Sequence, residues 1–327
     1  MFLSIIIPTI GREKLERAVE SVLTQDVNAD YQLIVVNDSG RALPPQAWQT
    51  DDRVQVLITQ QVERSASRNL GSRQATGEYL LFLDDDDFML PGAFSRFYAT
   101  AQAEPAGFIY GRSRLIDRNQ NFLVELQYET LDLVTPDHEP LLQFTDVMSG
   151  NCLSQIMAGE FVPIMASIYR RDVFEQTGGF YESISCAEDI DMARHMALYA
   201  DLVAIPHSVV CAELGSEGSS TDKNDGTAQS HLARERILDK TETLPRLIDS
   251  AGKGPYWFGR VVRTYLSSAI WNARRGRFQK LPDRILKALI AAGRADRGLL
   301  RAEFWQAIRI HYLNGPYIKG FLAATWH

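Results

Sequence analysis

Four consecutive carboxylates, Asp84, Asp85, Asp86 and Asp87, follow the uninterrupted apolar run Tyr79–Leu83 and are closed off by Pro91 and Gly92. An apolar run without alternation suits a parallel strand covered on both faces, so the acids are expected at its C-terminal end, where open α/β sheets bind ligands. Adjacent carboxylates repel strongly at short range. A hard divalent cation bridging to phosphate oxygens is the natural partner for such a cluster, and the alternative is a solvated acidic turn. A second acidic pair, Glu188-Asp189, with Asp191 behind it, opens a helix-like segment. It can supply a general base, or it can be the acidic first turn that a helix dipole favours.

These groups need a scaffold, and the N-terminal half reads as one. Leu3–Ile7, Gln32–Val36, Val54–Ile58, Tyr79–Leu83 and Gly107–Tyr110 are strand candidates. Between them, Glu13–Leu23 has Leu15, Val19, Val22 and Leu23 at helical spacing, and Ser65–Thr76 and Pro91–Glu104 read as further helices. The alternation predicts a mostly parallel sheet with helices on both faces. No Gly-x-Gly-x-x-Gly follows the first strand, where Pro8-Thr9-Ile10-Gly11-Arg12 stands instead, so a dinucleotide site is not expected. Residues 115 to 160 are irregular and are read as loops and short elements shaping an acceptor pocket. Regular pattern returns over Pro163–Tyr169, Arg171–Thr177, Leu202–Ile205 and Val209–Cys211. The polar stretch Gly215–Gly226 reads as a mobile loop, and the chain beyond Ala228 as almost wholly helical.

The chain of 327 residues, 45% hydrophobic and 23% charged, is long enough for a sizeable core and excludes disordered and collagen-like classes. No apolar stretch approaches the roughly 18 residues of a membrane span, and Met1–Pro8 reads as a first strand and not as a leader. Cys152, Cys186 and Cys211 lack metal-like spacing and cannot all pair, which suits free thiols in the cytoplasm. The net charge of −7 is unevenly divided. Residues 251–327 hold fourteen basic and three acidic residues, net +11, leaving −18 for residues 1–250. A basic helical tail on an acidic body suggests an anionic partner, either a membrane surface or the body itself, with no nucleic acid expected. Within that tail Phe258, Val261, Val262, Tyr265, Leu266, Ala269 and Ile270 form an apolar stripe that would either pack inward or lie in a membrane interface.

Taken in order, Pro8-Thr9-Ile10-Gly11-Arg12, Val35-Val36-Asn37-Asp38-Ser39, Ala66-Ser67-Arg68-Asn69-Leu70-Gly71, Asp84–Asp87, Gly178-Gly179-Phe180 and Glu188-Asp189-Ile190-Asp191 resemble family-2 glycosyltransferases of the GT-A fold over roughly residues 1 to 220. The resemblance implies a GT-A catalytic domain, a Rossmann-like, mostly parallel sheet with helices on both faces, placed over 1–226, and the charge and helical pattern leave 227–327 as a basic helical appendage. It implies a nucleotide-sugar donor, a divalent metal (Mn2+ or Mg2+) and transfer with inversion to a carbohydrate or lipid-linked acceptor. A UDP-sugar is the favoured donor; dTDP- and GDP-sugars, and a catalytically inactive nucleotide-sugar-binding module, stay open.

By the same resemblance Pro8, Thr9, Arg12, Asp38 and Arg68 line the donor pocket, and Asp86 is the metal ligand. Asp84 or Asp85 approaches the ribose or a bound water, while Asp87 caps the turn. Asp189 is the base, Glu188 orients the acceptor, and Gly178-Gly179 forms a turn beside donor and acceptor. The alternative for Asp38 is a helix or turn cap and for Arg68 a pair with a surface acid, while Thr9 and Arg12, read on their own, suit a helix cap and a surface charge equally well. Two departures stand out. Ile10 occupies a position that is aromatic in many relatives, and no histidine follows the last strand in the place from which relatives reach the metal. Glu213 or Ser219 are the substitutes expected there.

Overall fold

The computed structural model describes residues 1–116, 119–126, 129–130, 148–213, 226–252 and 254–309. The loop expected over Gly215–Gly226 falls outside them except for its last residue. The strands are β1 (Leu3–Thr9), β2 (Tyr31–Asn37), β3 (Val54–Ile58), β4 (Tyr79–Phe82), β5 (Phe88–Met89), β6 (Phe108–Ile116), β7 (Phe122–Leu126), β8 (Glu129–Thr130), β9 (Glu160–Phe161), β10 (Ser167–Arg170) and β11 (Leu202–Glu213). The helices are α1 (Leu15–Leu23), α2 (Arg64–Gln74), α3 (Ala93–Ala103), α4 (Leu153–Ala158), α5 (Arg171–Thr177), α6 (Glu188–Tyr199), α7 (Gly226–Leu238), α8 (Thr243–Ala251), α9 (Pro255–Arg274), α10 (Leu281–Arg294) and α11 (Ala302–Ile308).

Two compact units result. The first comprises residues 1–152 and 159–234, the second residues 153–158 and 235–327. The first is built on a sheet of order β3-β2-β1-β4-β10-β6-β11-β5, with β7 added alongside β6. The first four strands are parallel, as the alternating pattern predicts. Beyond them the sheet is mixed: β10 runs antiparallel between β4 and β6, and β6 pairs parallel with β11. β1, β2 and β4 are buried along nearly their whole length, which is why they read as continuous apolar runs.

Two details of this sheet set the site. Pairing of β1 with β4 stops at Ile6–Phe82, while pairing of β1 with β2 continues to Thr9–Asn37. Pro8 and Thr9 therefore face the chain that leaves β4, and Pro8, with no N–H to donate, falls where that ladder ends. The helix α2 approaches the sheet through Gly71, where an added Cβ would lie 2.5 Å from Ile6 Cγ2 and 3.2 Å from Val36 Cγ2. The two strands expected over Leu202–Ile205 and Val209–Cys211 are one, β11, carrying register shifts between Ala204 and Val210 around the exposed Pro206 and His207. Those shifts let a single strand pair with β6 and, near its end, with β5.

The second unit is helical in its described residues. The α9 stripe predicted over 258–270 is largely core, with Val261, Val262, Tyr265 and Ala269 buried and Phe258, Leu266 and Ile270 partly so. Gly259 lets α11 lie close, its notional Cβ falling 2.4 Å from the Phe304 carbonyl oxygen. No described helix is long and apolar enough to cross a membrane.

Gly71→Val tests the close approach of α2. Overpacking of this kind costs about 1–3 kcal/mol, so urea unfolding should show a lower midpoint with an unchanged slope; a wild-type midpoint would mean that α2 does not rest on Ile6.

Candidate active site

The four acids are not equivalent. Asp87 N–H bonds the Asp84 carbonyl at 3.2 Å, closing a turn that sends successive side chains in different directions. Asp85 is buried and turns back to β1, accepting from Thr9 Oγ1 at 2.6 Å and from Arg12 at 3.1 Å. Burial outweighs both partners and pushes Asp85 up to about 6. Asp84, Asp86 and Asp87 bring carboxylate oxygens within 4.8 Å of one another. Asp87, expected as a turn cap, thus joins the cluster instead. Its carboxyl is raised well above the ordinary range by burial and by the neighbouring charges of Asp84 and Asp86. Three all-oxygen, negatively charged donors at this spacing fit a hard cation such as Mg2+ or Mn2+.

Positive charge borders the cluster. Arg12 reaches Asp86 at 3.4 Å, and Arg17 donates to the Asp86 carbonyl at 3.0 Å. Glu213, expected as a substitute metal contact, is instead held by Lys14 at 2.5 Å and Gln120 at 3.2 Å. Ser219 lies outside the described residues.

Arg68 joins this cluster to the second acidic pair. It is only 1% exposed, yet its guanidinium donates to Asp84 at 2.6 Å and to Glu188 at 3.0 Å, so one rigid fork spans two carboxylates 104 positions apart in sequence. Arg64, one helical turn earlier, adds a contact to Glu188 at 3.2 Å. Burial opposes ionisation of Asp84, but Arg68, Arg64 and Arg12 prevail and hold its carboxyl below the ordinary value.

The turn ahead of α6 is fixed by the same helix. Asn69 accepts from Phe180 N–H at 2.8 Å and donates to the Phe180 carbonyl at 2.9 Å, while the Phe180 ring lies 5.3 Å from the Arg68 guanidinium. Gly178 and Gly179 both adopt positive φ, 87° and 77°, and a Cβ on Gly179 would strike Asn69 Oδ1 at 2.7 Å. The turn is therefore built for close contact with α2. Ala187, at φ 62°, swings the chain into α6. Glu188 is buried on the arginines, whereas Asp189 is partly exposed and is engaged by its neighbour's backbone, the Ile190 N–H at 2.8 Å. Burial and the adjacent Glu188 push Asp189 up to about 6. A small recess lined by Glu63, Arg64, Ser65, Ile184, Ser185 and Glu188 opens alongside.

Asp38 stands apart from this constellation. Its carboxylate accepts from Thr59 Oγ1, from Val62 N–H at 2.8 Å and from Glu63 N–H at 3.1 Å, gripping the segment that enters α2, in which Gln61 and Glu63 have positive φ. Ile10 is 60% exposed at the end of β1, next to Gly11, whose N–H bonds Thr9 Oγ1.

Residues 4–176 match the family model for Glycosyl transferase family 2. The chain belongs to that family. It is 32% identical over 180 residues to the GalNAc(5)-diNAcBac-PP-undecaprenol beta-1,3-glucosyltransferase of Campylobacter jejuni, covering 53% of each chain. It is 32% identical over 116 residues to the poly(ribitol-phosphate) beta-N-acetylglucosaminyltransferase TarP of Staphylococcus aureus, covering 33% of this chain and 36% of TarP. The match thus spans about half the length of the Campylobacter relative. In fold the chain is similar to S. aureus TarS, solved in complex with UDP-GlcNAc, with a TM-score of 0.56 at 15% identity over 87% of this chain and 90% of that one. The alternation of strands and helices and the helical C-terminal region accord with the GT-A expectation.

Asn69, Arg64 and Phe180 escaped a role in the sequence reading of this family-2 site. Arg64 carried a usable signal, lying four residues before Arg68 on the same helix face. Asn69 carried none, because its partners, the Phe180 backbone and the Glu182 side chain, lie more than a hundred residues away in sequence.

Replacing Arg68 by Met is expected to destabilise the protein by about 3–5 kcal/mol, since Asp84 and Glu188 lose a buried counter-charge. Arg68→Lys should recover only part, because a single ammonium cannot span both acids as the fork does. Denaturant unfolding of both variants checks this; equal midpoints for Arg68→Met and wild type would remove Arg68 from the centre of the site.

Proposed function

We propose that this chain is a metal-dependent, inverting glycosyltransferase that moves a sugar from a nucleoside-diphosphate donor, with a UDP-sugar favoured, to a hydroxyl of a carbohydrate or lipid-linked acceptor. The observation that carries the reading is the single guanidinium of Arg68 tying an oxygen cluster suited to a cation to a carboxylate pair suited to a base. A divalent ion held by Asp84, Asp86 and Asp87 would supply Lewis-acid neutralisation of the leaving diphosphate. Arg12, 35% exposed in its side chain, is available to the same negative charge.

On the acceptor side Asp189 takes the hydroxyl proton as the acceptor oxygen forms its bond to the anomeric carbon. The bond from that carbon to the diphosphate oxygen breaks on the opposite face, so configuration inverts. Glu188 is held by Arg64 and Arg68 and cannot readily serve as the base; it acts as the positioning residue. Asp189 suits the task because its raised basicity matches proton abstraction near neutral pH. The UDP-GlcNAc complex of TarS supports a UDP-sugar donor, and the lipid-linked substrate in the name of the Campylobacter relative supports a glycoconjugate acceptor. Assembly of a polysaccharide or lipopolysaccharide at the cytoplasmic face is the setting this chemistry fits.

Asp189→Asn is expected to keep donor affinity in calorimetric titration while transfer falls at least ~100-fold, the scale for a positioned base. In wild type, protonation of Asp189 should make kcat fall below a pH of about 6, where an ordinary aspartate would hold activity to about 4. Parallel loss of donor affinity in the variant, or an acid limb near 4, would take the base role from Asp189.

Asp86→Ala should abolish the metal-dependent part of donor binding and leave the far-UV circular dichroism unchanged. Wild-type Mn2+ dependence in this variant would place the cation elsewhere.

A further inference from the structure

In the helical unit, α10 presents its large aliphatic side chains outward. Its buried positions are Arg284, Ala288 and Ala291, with Ala295 just beyond its end, a spacing that defines one helix face. That face is pinned by charge more than by apolar bulk: Arg284, 1% exposed, pairs with Glu235 at 3.1 Å, with Asp239 and with Asp283, and donates to Ser268 Oγ at 2.9 Å. The opposite face carries Ile285, Leu286, Leu289 and Ile290, which are 44%, 57%, 64% and 39% exposed, and Phe278 in the turn ahead of the helix is 64% exposed. An ordinary amphipathic helix buries its leucines and isoleucines. A contiguous aliphatic stripe left outside marks an interaction surface.

The charge around the stripe selects what it meets. Of the nine arginines and lysines in residues 274–301, Arg284, Lys280 and Lys287 are paired with Glu235, Asp239 and Asp283. Arg274, Arg275 and Arg277 before the helix and Arg294, Arg297 and Arg301 at and beyond its end are all exposed.

We propose that the outer face of α10 docks on an anionic lipid bilayer, with Ile285, Leu286, Leu289 and Ile290 entering the boundary between headgroups and acyl chains and the flanking arginines meeting lipid phosphates. A second copy of the same face would set like charge against like charge, which disfavours self-association there. The surface is not the α9 stripe that sequence periodicity singles out, since that stripe is mostly core. The proposal is independent of the transfer reaction, because it is read by binding alone.

The full chain is sedimented with vesicles of phosphatidylcholine alone and of phosphatidylcholine mixed with phosphatidylglycerol, at ~0.1 M and ~1 M salt, between which the Debye length falls from about 10 to about 3 Å. Binding to the anionic vesicles at low salt, weakened at high salt, is expected. The double variant Leu286→Glu, Leu289→Glu should bind at least ~10-fold less while keeping the wild-type unfolding midpoint, because both side chains are exposed. Absence of binding to anionic vesicles at low salt would overturn the proposal, as would a folded double variant that binds like wild type. So would a dimer, seen by light scattering, that the double variant splits while vesicles stay unbound, since the face would then belong to a second copy.

Discussion

A charged guanidinium with almost no solvent contact must be paired, and the site is organised around how Arg68 meets that demand. Isolated, its burial would cost several kcal/mol even after relaxation. It is paired twice, with Asp84 from the loop after β4 and with Glu188 from the start of α6. Neither acid alone would use the fork. The requirement ties two remote segments to one helix, and it accords with Gly71 on the sheet side of α2: only a residue without a side chain allows the helix to come close enough to Ile6 and Val36. Asn69, the next residue, extends the same control to the Gly178-Gly179-Phe180 turn through two backbone hydrogen bonds.

Environment divides otherwise identical carboxylates into different roles. Of the four acids after β4, Asp85 is drawn back to Thr9 and Arg12, Asp84 is stabilised as an anion by arginines, and Asp87 is crowded by like charge. That crowding is what a dication would relieve. Glu188 and Asp189 separate in the same way at the start of α6. The first is neutralised by two arginines; the second has its basicity raised by burial and by the neighbouring negative charge, against the opposing pull of one backbone N–H. Two carboxylates driven apart in this manner suit one positioning and one proton-accepting role.

Much of this was legible in the residues. The continuous apolar runs of β1, β2 and β4 carry the parallel half of the sheet, and the acids fall at a strand end as the run Tyr79–Leu83 requires. Less legible were features fixed by partners far away in sequence. The antiparallel direction of β10 depends on which strands flank it. The unity of β11 is hidden by Pro206, which looks like a break and is a register shift. The grip of Asp38 on the entry to α2 and the bracket formed by Asn69 both involve backbone groups, which leave no trace in side-chain pattern. In the helical unit, periodicity singled out the stripe of α9 without saying whether the fold buries it: that bulky face is largely core, while the buried face of α10 is built from Arg284 and two alanines.

The central claim is that the acidic cluster and the arginine-linked carboxylates form one nucleotide-sugar site dependent on a cation. Thermal unfolding of the full chain with UDP-sugars, with and without Mn2+ or Mg2+, tests it most directly. With ligand at about 100 times its dissociation constant, the account predicts stabilisation of about 2.7 kcal/mol when donor and metal are both present, lost on adding EDTA. A donor-induced shift of equal size in EDTA, or no shift with any nucleotide sugar and either metal, would contradict it.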